Sequence, residues 1–382
     1  MLLQAKALRL AAAGALPAYL YDLDGLRRHA GTVRRAMDGT AQVLYAVKAN
    51  PDERILRALS RHVDGFEVAS GGELAHLRRI LPHAWTAFSG PGKTDAELAL
   101  ALELGVARLH VESPGELTRL ARIAAARPVD ILLRANLRPP SSGEAGADIV
   151  TPFGMDEHAL AACLPILRAA PRIRPRGVHV HLSWGSPAPA MAGLAAHVTT
   201  WALSWLDRHL PELGRPEIDL GGGMLVDYAR PDHLFDWPAY GAAVAGLRVP
   251  ALLRIEPGRA LTAYHGWYIT DVLDVKTNHG RRFAVLRGGT QHLRTPVARG
   301  HDQPFTVIGR TGGAAGPGEP VTLVGQLCTP RDVFARDVPV SLSPGDLIAF
   351  RLAGAYAWNL SHHEFLMHPE PTFHYLDREG VP

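Results

Sequence analysis

The apolar positions of this chain gather into short runs rich in Val, Leu and Ile, at 43–47, 65–69, 86–89, 108–112, 130–135, 177–182, 217–220 and 252–256. Between them, apolar residues recur at helical spacing, as in 53–61, 72–80, 95–104, 115–126 and 157–169. Short apolar runs bounded by turn residues read as buried parallel strands, and the stretches between them as crossover helices. Eight strand–helix alternations predict an α/β fold, a (β/α)8 TIM barrel, with a doubly wound open sheet as the rival.

After residue 259 the texture changes. Segments 268–275, 283–287, 320–324 and 346–352 read as strands separated by Gly/Pro turns, which predicts a C-terminal β-rich barrel or sandwich domain. The expected division is an N-terminal segment at 1–25 packing with the β domain, a barrel at 26–262 and the β domain at 263–382. Segments 138–147 and 310–319 read as surface loops, the first interrupting the barrel after its fifth strand and able to order over a substrate. The opening stretch, broken by Lys6, Arg9, Gly14 and Pro17, reads as a short amphipathic helix in preference to a signal peptide.

Composition narrows the classes. The 382 residues carry a formal net charge of only +3, with basic residues scattered, so no nucleic-acid surface is expected. No apolar stretch is long enough to span a bilayer, so no membrane role is expected either. Two cysteines, Cys163 and Cys328, make no disulfide framework, and the cytoplasm is the expected compartment.

Barrel enzymes place their chemistry where strands end. Lys48 closes the first run, in Tyr45-Ala-Val-Lys48-Ala-Asn50; it is either an ordinary lysine exposed just past a strand or an amine used covalently. The seventh run leads into Gly221-Gly222-Gly223, which is a tight turn or a phosphate cradle. The eighth ends in Glu256-Pro-Gly-Arg259, a carboxylate followed by a guanidinium suited to a phosphate oxygen. His179 and His181 share one face of the sixth run, as a metal-binding pair or as an aromatic lid over a flat ligand. In the second domain, Cys328 lies in a turn-like setting followed by Asp332, where a thiol is more often reactive than in a core.

Taken in order, Tyr-Ala-Val-Lys48-Ala-Asn, Gly221-Gly-Gly, Glu256-Pro-Gly-Arg259, Cys328-x-x-x-Asp332 and Gly354-Ala-Tyr356 resemble the fold type III decarboxylases of the ornithine, diaminopimelate and arginine type, which use pyridoxal 5′-phosphate (PLP). The resemblance runs over nearly the whole chain and implies a homodimer with shared active sites. It also implies that Lys48 forms a Schiff base with PLP, that Glu256 pairs with the pyridine nitrogen, and that Gly221, Gly222, Gly223, Arg259 and Tyr356 bind the phosphate. His181 would stack on the ring, Arg134 would lie near the phenolic oxygen and Glu67 near the lysine. Cys328 from the neighbouring subunit would return a proton after carbon dioxide departs.

The departures bear on the substrate. Where the family has His-x-Gly-Ser, this chain has His181-Leu-Ser183-Trp184-Gly-Ser186, leaving Trp184 and Ser186 as alternatives for the phosphate-binding serine. The family's free-diamine enzymes carry an acidic residue directly after the cysteine; here stand Thr329 and Pro330. With Pro152-Phe-Gly-Met-Asp156 and Phe365-Leu-Met-His-Pro-Glu-Pro371, this looks most like a subgroup from siderophore and antibiotic pathways. Its members act on amino acids joined to citrate or to a carrier protein. Arg294 is a candidate for a distal carboxylate of such a substrate, beside the alternative of a plain surface arginine. The competing readings are a free diaminopimelate, ornithine or lysine decarboxylase, a PLP racemase, a non-catalytic PLP carrier, and a metal-dependent hydrolase built on His179 and His181.

Overall fold

A computed structural model describes residues 2–124, 127–138, 151–294, 301–308 and 318–378. Most of both expected surface loops, 139–147 and 310–317, lies outside the described residues. The chain divides into two compact units, one of residues 27–225 and 235–258, the other of 1–26, 226–234 and 259–382.

Strand β1 (Ala18–Asp22) belongs to the second of these units. The first holds eight parallel strands, β2 (Gln42–Ala46), β3 (Gly65–Val68), β4 (Thr86–Phe88), β5 (Arg108–Val111), β6 (Val129–Ala135), β7 (Ile173–Val180), β8 (Glu217–Asp219) and β9 (Leu252–Ile255), closed into a barrel. Each strand pairs in parallel with its sequence neighbour, and β9 closes on β2 through Gln42↔Arg254 and Val43↔Ile255. This is the (β/α)8 reading, and the open sheet is excluded. The helices begin where the sequence supplies a cap: the side chains of Asp52, Ser70, Thr94, Ser113 and Asp156 accept amides of the turns they open. Each such cap contributes about 1 kcal/mol and fixes where a strand-to-helix loop stops.

The starting ends of the strands are bound together by charge. Glu217 on β8 accepts from Arg108 on β5 at 2.5 and 2.6 Å and from Arg254 on β9 at 2.5 Å. Both guanidiniums lie over Trp85, and Arg254 also donates to Gln42 at 2.9 Å. Burial alone would push the Glu217 carboxyl up, but the two arginines outweigh it and hold the group below its ordinary range.

The other unit is β-rich, as its texture predicts. Its strands β10 (Gly266–Asn278), β11 (Arg281–Leu286), β12 (Phe305–Ile308), β13 (Pro320–Val324), β14 (Val333–Pro339) and β15 (Leu347–Phe350) run in the order β12-β15-β10-β11-β13-β14. Strand β1 pairs antiparallel with β10 and parallel with β16 (Thr372–Leu376). The opening stretch forms a helix, Leu2–Ala12, whose Ala7 and Leu10 bury against Leu20, Ile269 and Leu347. Segment 226–234 belongs to this unit, where Asp232 pairs with Arg351 and the Tyr228 hydroxyl accepts from Arg259 at 3.0 Å.

Candidate active site

In the barrel unit, functional side chains stand where the strands end. Strand β2 stops at Ala46, and Val47–Ala49 make a single 3-10 turn, so Lys48 sits just beyond the strand. Its side chain is 41% exposed and its Nζ lies 2.5 Å from Oε2 of Glu67, at the end of β3. Glu67 is fully buried, and its other oxygen accepts a short hydrogen bond from the Ser89 hydroxyl. Burial would raise the Glu67 carboxyl, but the charge and hydrogen bond of Lys48, with the Ser89 hydroxyl, hold it below the usual range. An amine that solvent can reach is therefore anchored by a fixed carboxylate.

Arg134, at the end of β6, donates to Glu112 at 2.6 Å and lies 5.2 Å over the Phe153 ring. Glu112 also accepts the amides of Gly90 and Gly154, so the guanidinium is held by a carboxylate that is itself held by backbone. His181 Nδ1 accepts the Gly222 amide at 3.2 Å. Burial first, then the charges of Lys48 and Arg134, lower this imidazole to about 4, so it is neutral at physiological pH.

The glycine run is a cradle that no side chain could share. A Cβ on Gly221 would fall 2.7 Å from His181 Nδ1, one on Gly222 2.5 Å from the Glu256 carbonyl, and one on Gly223 2.3 Å from the Ser183 carbonyl. Gly221 and Gly223 also have φ of +66° and +104°, the left-handed region that favours glycine. Beside the cradle, the Ser183 hydroxyl meets that of Ser186 at 2.8 Å and donates to the Gly223 carbonyl at 3.1 Å. Ser186 is tied to Gly223 and Leu225 through its backbone, while Trp184 turns outward, 52% exposed. The structure thus brings serines, not the tryptophan, to the cradle.

Glu256, at the end of β9, is buried, and its Oε1 meets no hydrogen-bonding partner among the described residues. Burial, with the charge of Glu67, raises its carboxyl to about 8. Asp219 is fully buried beside it; burial and the Glu256 charge raise it well above its ordinary value. His179 turns toward Glu256, with Nε2 3.4 Å from Oε2. Its ring neighbour is His110, at 4.4 Å between centroids. His179 and His181 therefore do not form, among the described residues, the metal pair of the competing reading. The donor trio that could hold an ion is His110, His179 and Glu256.

The β-rich unit carries the remaining candidates. Arg259 lies 4.7 Å over the Tyr356 ring, and Tyr356 itself has φ of +51°. Cys328 is an exposed free thiol. Asp332, four residues on, is buried, with its two oxygens accepting the amides of Thr290 at 2.7 Å and Leu327 at 2.8 Å. Its carboxylate ties two loops together. Arg294 is exposed, and its amide donates to the Ser361 hydroxyl at 3.0 Å.

Sequence reasoning passed over Ser89, Glu112, His110 and Asp219. Three of them end, or directly follow, strands in the same way as Lys48 and Glu67, so the strand-end rule applied at every run would have found them. His110 lies inside β5, where only its contact with β7 marks it.

Residues 23–263 match the family model for the pyridoxal-dependent decarboxylase, pyridoxal binding domain. A 2-[(L-alanin-3-ylcarbamoyl)methyl]-2-hydroxybutanedioate decarboxylase of Staphylococcus aureus is 39% identical, covering 94% of this chain and 93% of that protein. An L-glutamyl-[BtrI acyl-carrier protein] decarboxylase of Niallia circulans is 30% identical over 95% of this chain and 89% of that one. The crystal structure of Helicobacter pylori diaminopimelate decarboxylase complexed with L-lysine superposes with a TM-score of 0.81 at 27% identity, covering 95% of this chain and 92% of that one. No helix among the described residues is long and apolar enough to cross a membrane. The chain belongs to the pyridoxal-dependent decarboxylases, enzymes that use PLP to release the carboxylate of an amino-acid substrate.

Proposed function

We propose that this enzyme decarboxylates an amino acid carried on a larger acidic conjugate, of the kind named for the S. aureus relative, in which an alanine unit is joined through an amide to a hydroxybutanedioate. The observation that carries the reading is the loop after the thiol: Cys328 is followed by Thr329 and Pro330, with no acidic residue to receive a distal amine, and Asp332 is held by backbone amides. An exposed Arg294 suits a distal carboxylate better than a distal amine. A carrier-protein-linked substrate, as named for the N. circulans relative, is the second reading.

The residues fit PLP. A cradle closed to any Cβ suits a phosphate, and a buried carboxyl with an unpartnered oxygen suits a protonated ring nitrogen. When bound, PLP supplies a ring that draws off the electron pair left by the departing carboxylate. In this proposal Lys48 holds the cofactor covalently, with Glu67 and Ser89 fixing its amine. Gly221, Gly222 and Gly223, with Arg259 and Tyr356, bind the phosphate, and Ser183 and Ser186 keep the cradle's shape. Glu256 would keep a proton on the ring nitrogen, His181 would lie against the ring face, and Arg134 would stand near the phenolic oxygen. Cys328 from the partner of a homodimer returns a proton to the carbon that lost its carboxylate, and the two free thiols suit a cytoplasmic enzyme.

The test is product mass spectrometry. Purified enzyme with PLP is offered the citryl-type conjugate, the carrier-linked amino acid, and free lysine, ornithine, arginine and diaminopimelate. Turnover of the conjugate at least about a hundredfold above any free amino acid is expected, a margin of roughly 3 kcal/mol. Comparable turnover of a free diamine substrate overturns the proposal.

A further inference from the structure

Three buried groups next to Glu256, two imidazoles and a carboxyl, are more than packing requires. His110 on β5 and His179 on β7 are 0% and 1% exposed, with rings 4.4 Å apart and tilted by 36°. None of their four ring nitrogens meets a hydrogen-bonding partner among the described residues. A buried imidazole left unsatisfied costs stability, so its presence calls for an explanation. The nearest carboxylate oxygens to these nitrogens belong to Glu256, 3.4 Å from His179 Nε2 and 3.8 Å from His110 Nδ1. The third group, Asp219, accepts the Gly221 amide through one oxygen at 2.9 Å.

We propose that His179, braced by His110, is a positioning residue for Glu256, its Nε2–H holding the carboxylate in one orientation toward the ring nitrogen of PLP. From 3.4 Å, a small rotation of the carboxylate closes this hydrogen bond. The inference rests on the assignment of Glu256 to that ring nitrogen.

The surroundings keep both imidazoles neutral, and so each keeps one N–H to donate. Burial comes first in both. For His110 it is joined by the charges of Lys93, Arg134 and Arg254, and for His179 by those of Arg134 and Lys48, with Glu67 opposing. Around Glu256, the charge of Glu67 acts in the same direction as burial, favouring the protonated acid, while Lys48 and Arg134 act against it. Burial first, then the Glu256 charge, raises the Asp219 carboxyl well above its ordinary value. A donor on Glu256 favours its anion, so within the Glu256–ring pair it keeps the shared proton on nitrogen. Losing the donor moves the proton toward the carboxylate oxygen.

The experiment reads that proton directly. Wild type, His179→Phe, His179→Asn, His110→Phe and Glu256→Gln are reconstituted with PLP labelled with 15N in the ring, and the nitrogen chemical shift is recorded at one neutral pH. In His179→Phe the ratio of nitrogen-bound to oxygen-bound proton is expected to fall about tenfold, the effect of one hydrogen bond to a charged group. His179→Asn, which keeps an N–H donor, restores part of it, and His110→Phe gives a smaller shift in the same direction. If Glu256→Gln moves the signal while His179→Phe and His110→Phe leave it as in wild type, the positioning role is overturned and the assignment of Glu256 stands. If Glu256→Gln leaves the signal unmoved, that assignment falls and takes the inference with it. Should His179→Phe fail to fold, His110→Phe decides alone, and an unmoved signal there overturns the proposal.

Discussion

The burial of Glu256 has a consequence for the cofactor-free protein that can be measured without any substrate. Its carboxyl rises from 4.5 to about 8, chiefly through burial. A group whose folded value is raised contributes stability that is complete below the unfolded value and is lost as pH rises through the folded one. Apo-protein melting temperature should therefore decline between pH 4.5 and about 8, and Glu256→Gln should flatten that part of the profile. Differential scanning fluorimetry on both proteins checks it, and parallel profiles would remove Glu256 as the cause. Glu256 was visible in the sequence, while two of its neighbours, His110 and Asp219, were not. A Glu-Pro-Gly-Arg string announces itself, whereas His110 matters only through a ring on another strand, and no spacing along the chain encodes that contact.

At the scale of elements, the barrel strands were legible because their apolar runs are short and bounded. The misjudged edge has a physical cause: β7 begins at Ile173, four residues before the apolar run, because Arg174, Pro175 and Arg176 interrupt its apolar pattern. The β6–β7 register shifts between Ile131 and Leu132 at the same point. Gly177 marks the spot. Its φ is +153°, and a Cβ there would stand 1.8 Å from the Glu217 carbonyl. Gly177→Ala should cost more than about 2 kcal/mol, since both the backbone and the adjoining strand must shift. Urea unfolding monitored by circular dichroism measures it, and a cost within about 0.5 kcal/mol would mean the strands have room to part. Asp332 shows the opposite limit of sequence reading: the motif gave its place four residues after the thiol but could not tell that two amides claim its carboxylate.

For the barrel as a whole, closure is reinforced at the strand starts by one carboxylate serving two guanidiniums. Glu217→Leu would leave Arg254, with a side chain 3% exposed, with Gln42 as its remaining side-chain acceptor, while Arg108 keeps Asp130 at 3.3 Å. A loss of about 3–5 kcal/mol is expected, the effect of stranding a buried charge. Thermal unfolding of the variant beside an Arg254→Met, Glu217→Leu pair separates this from simple packing, because removing both partners should recover part of the loss. A similar destabilisation in both proteins would count against the charge argument.

The sandwiching of β1 between β10 and β16 bears on how the polypeptide matures on the ribosome. Residues 18–22 wait for one neighbour some 250 positions downstream, and for the other until residue 376 has emerged. The barrel strands, by contrast, are all translated by residue 255 and need nothing later to close their ring. Nascent chains should thus acquire a protected barrel early, while β1 stays without its second neighbour until residues 372–376 have emerged.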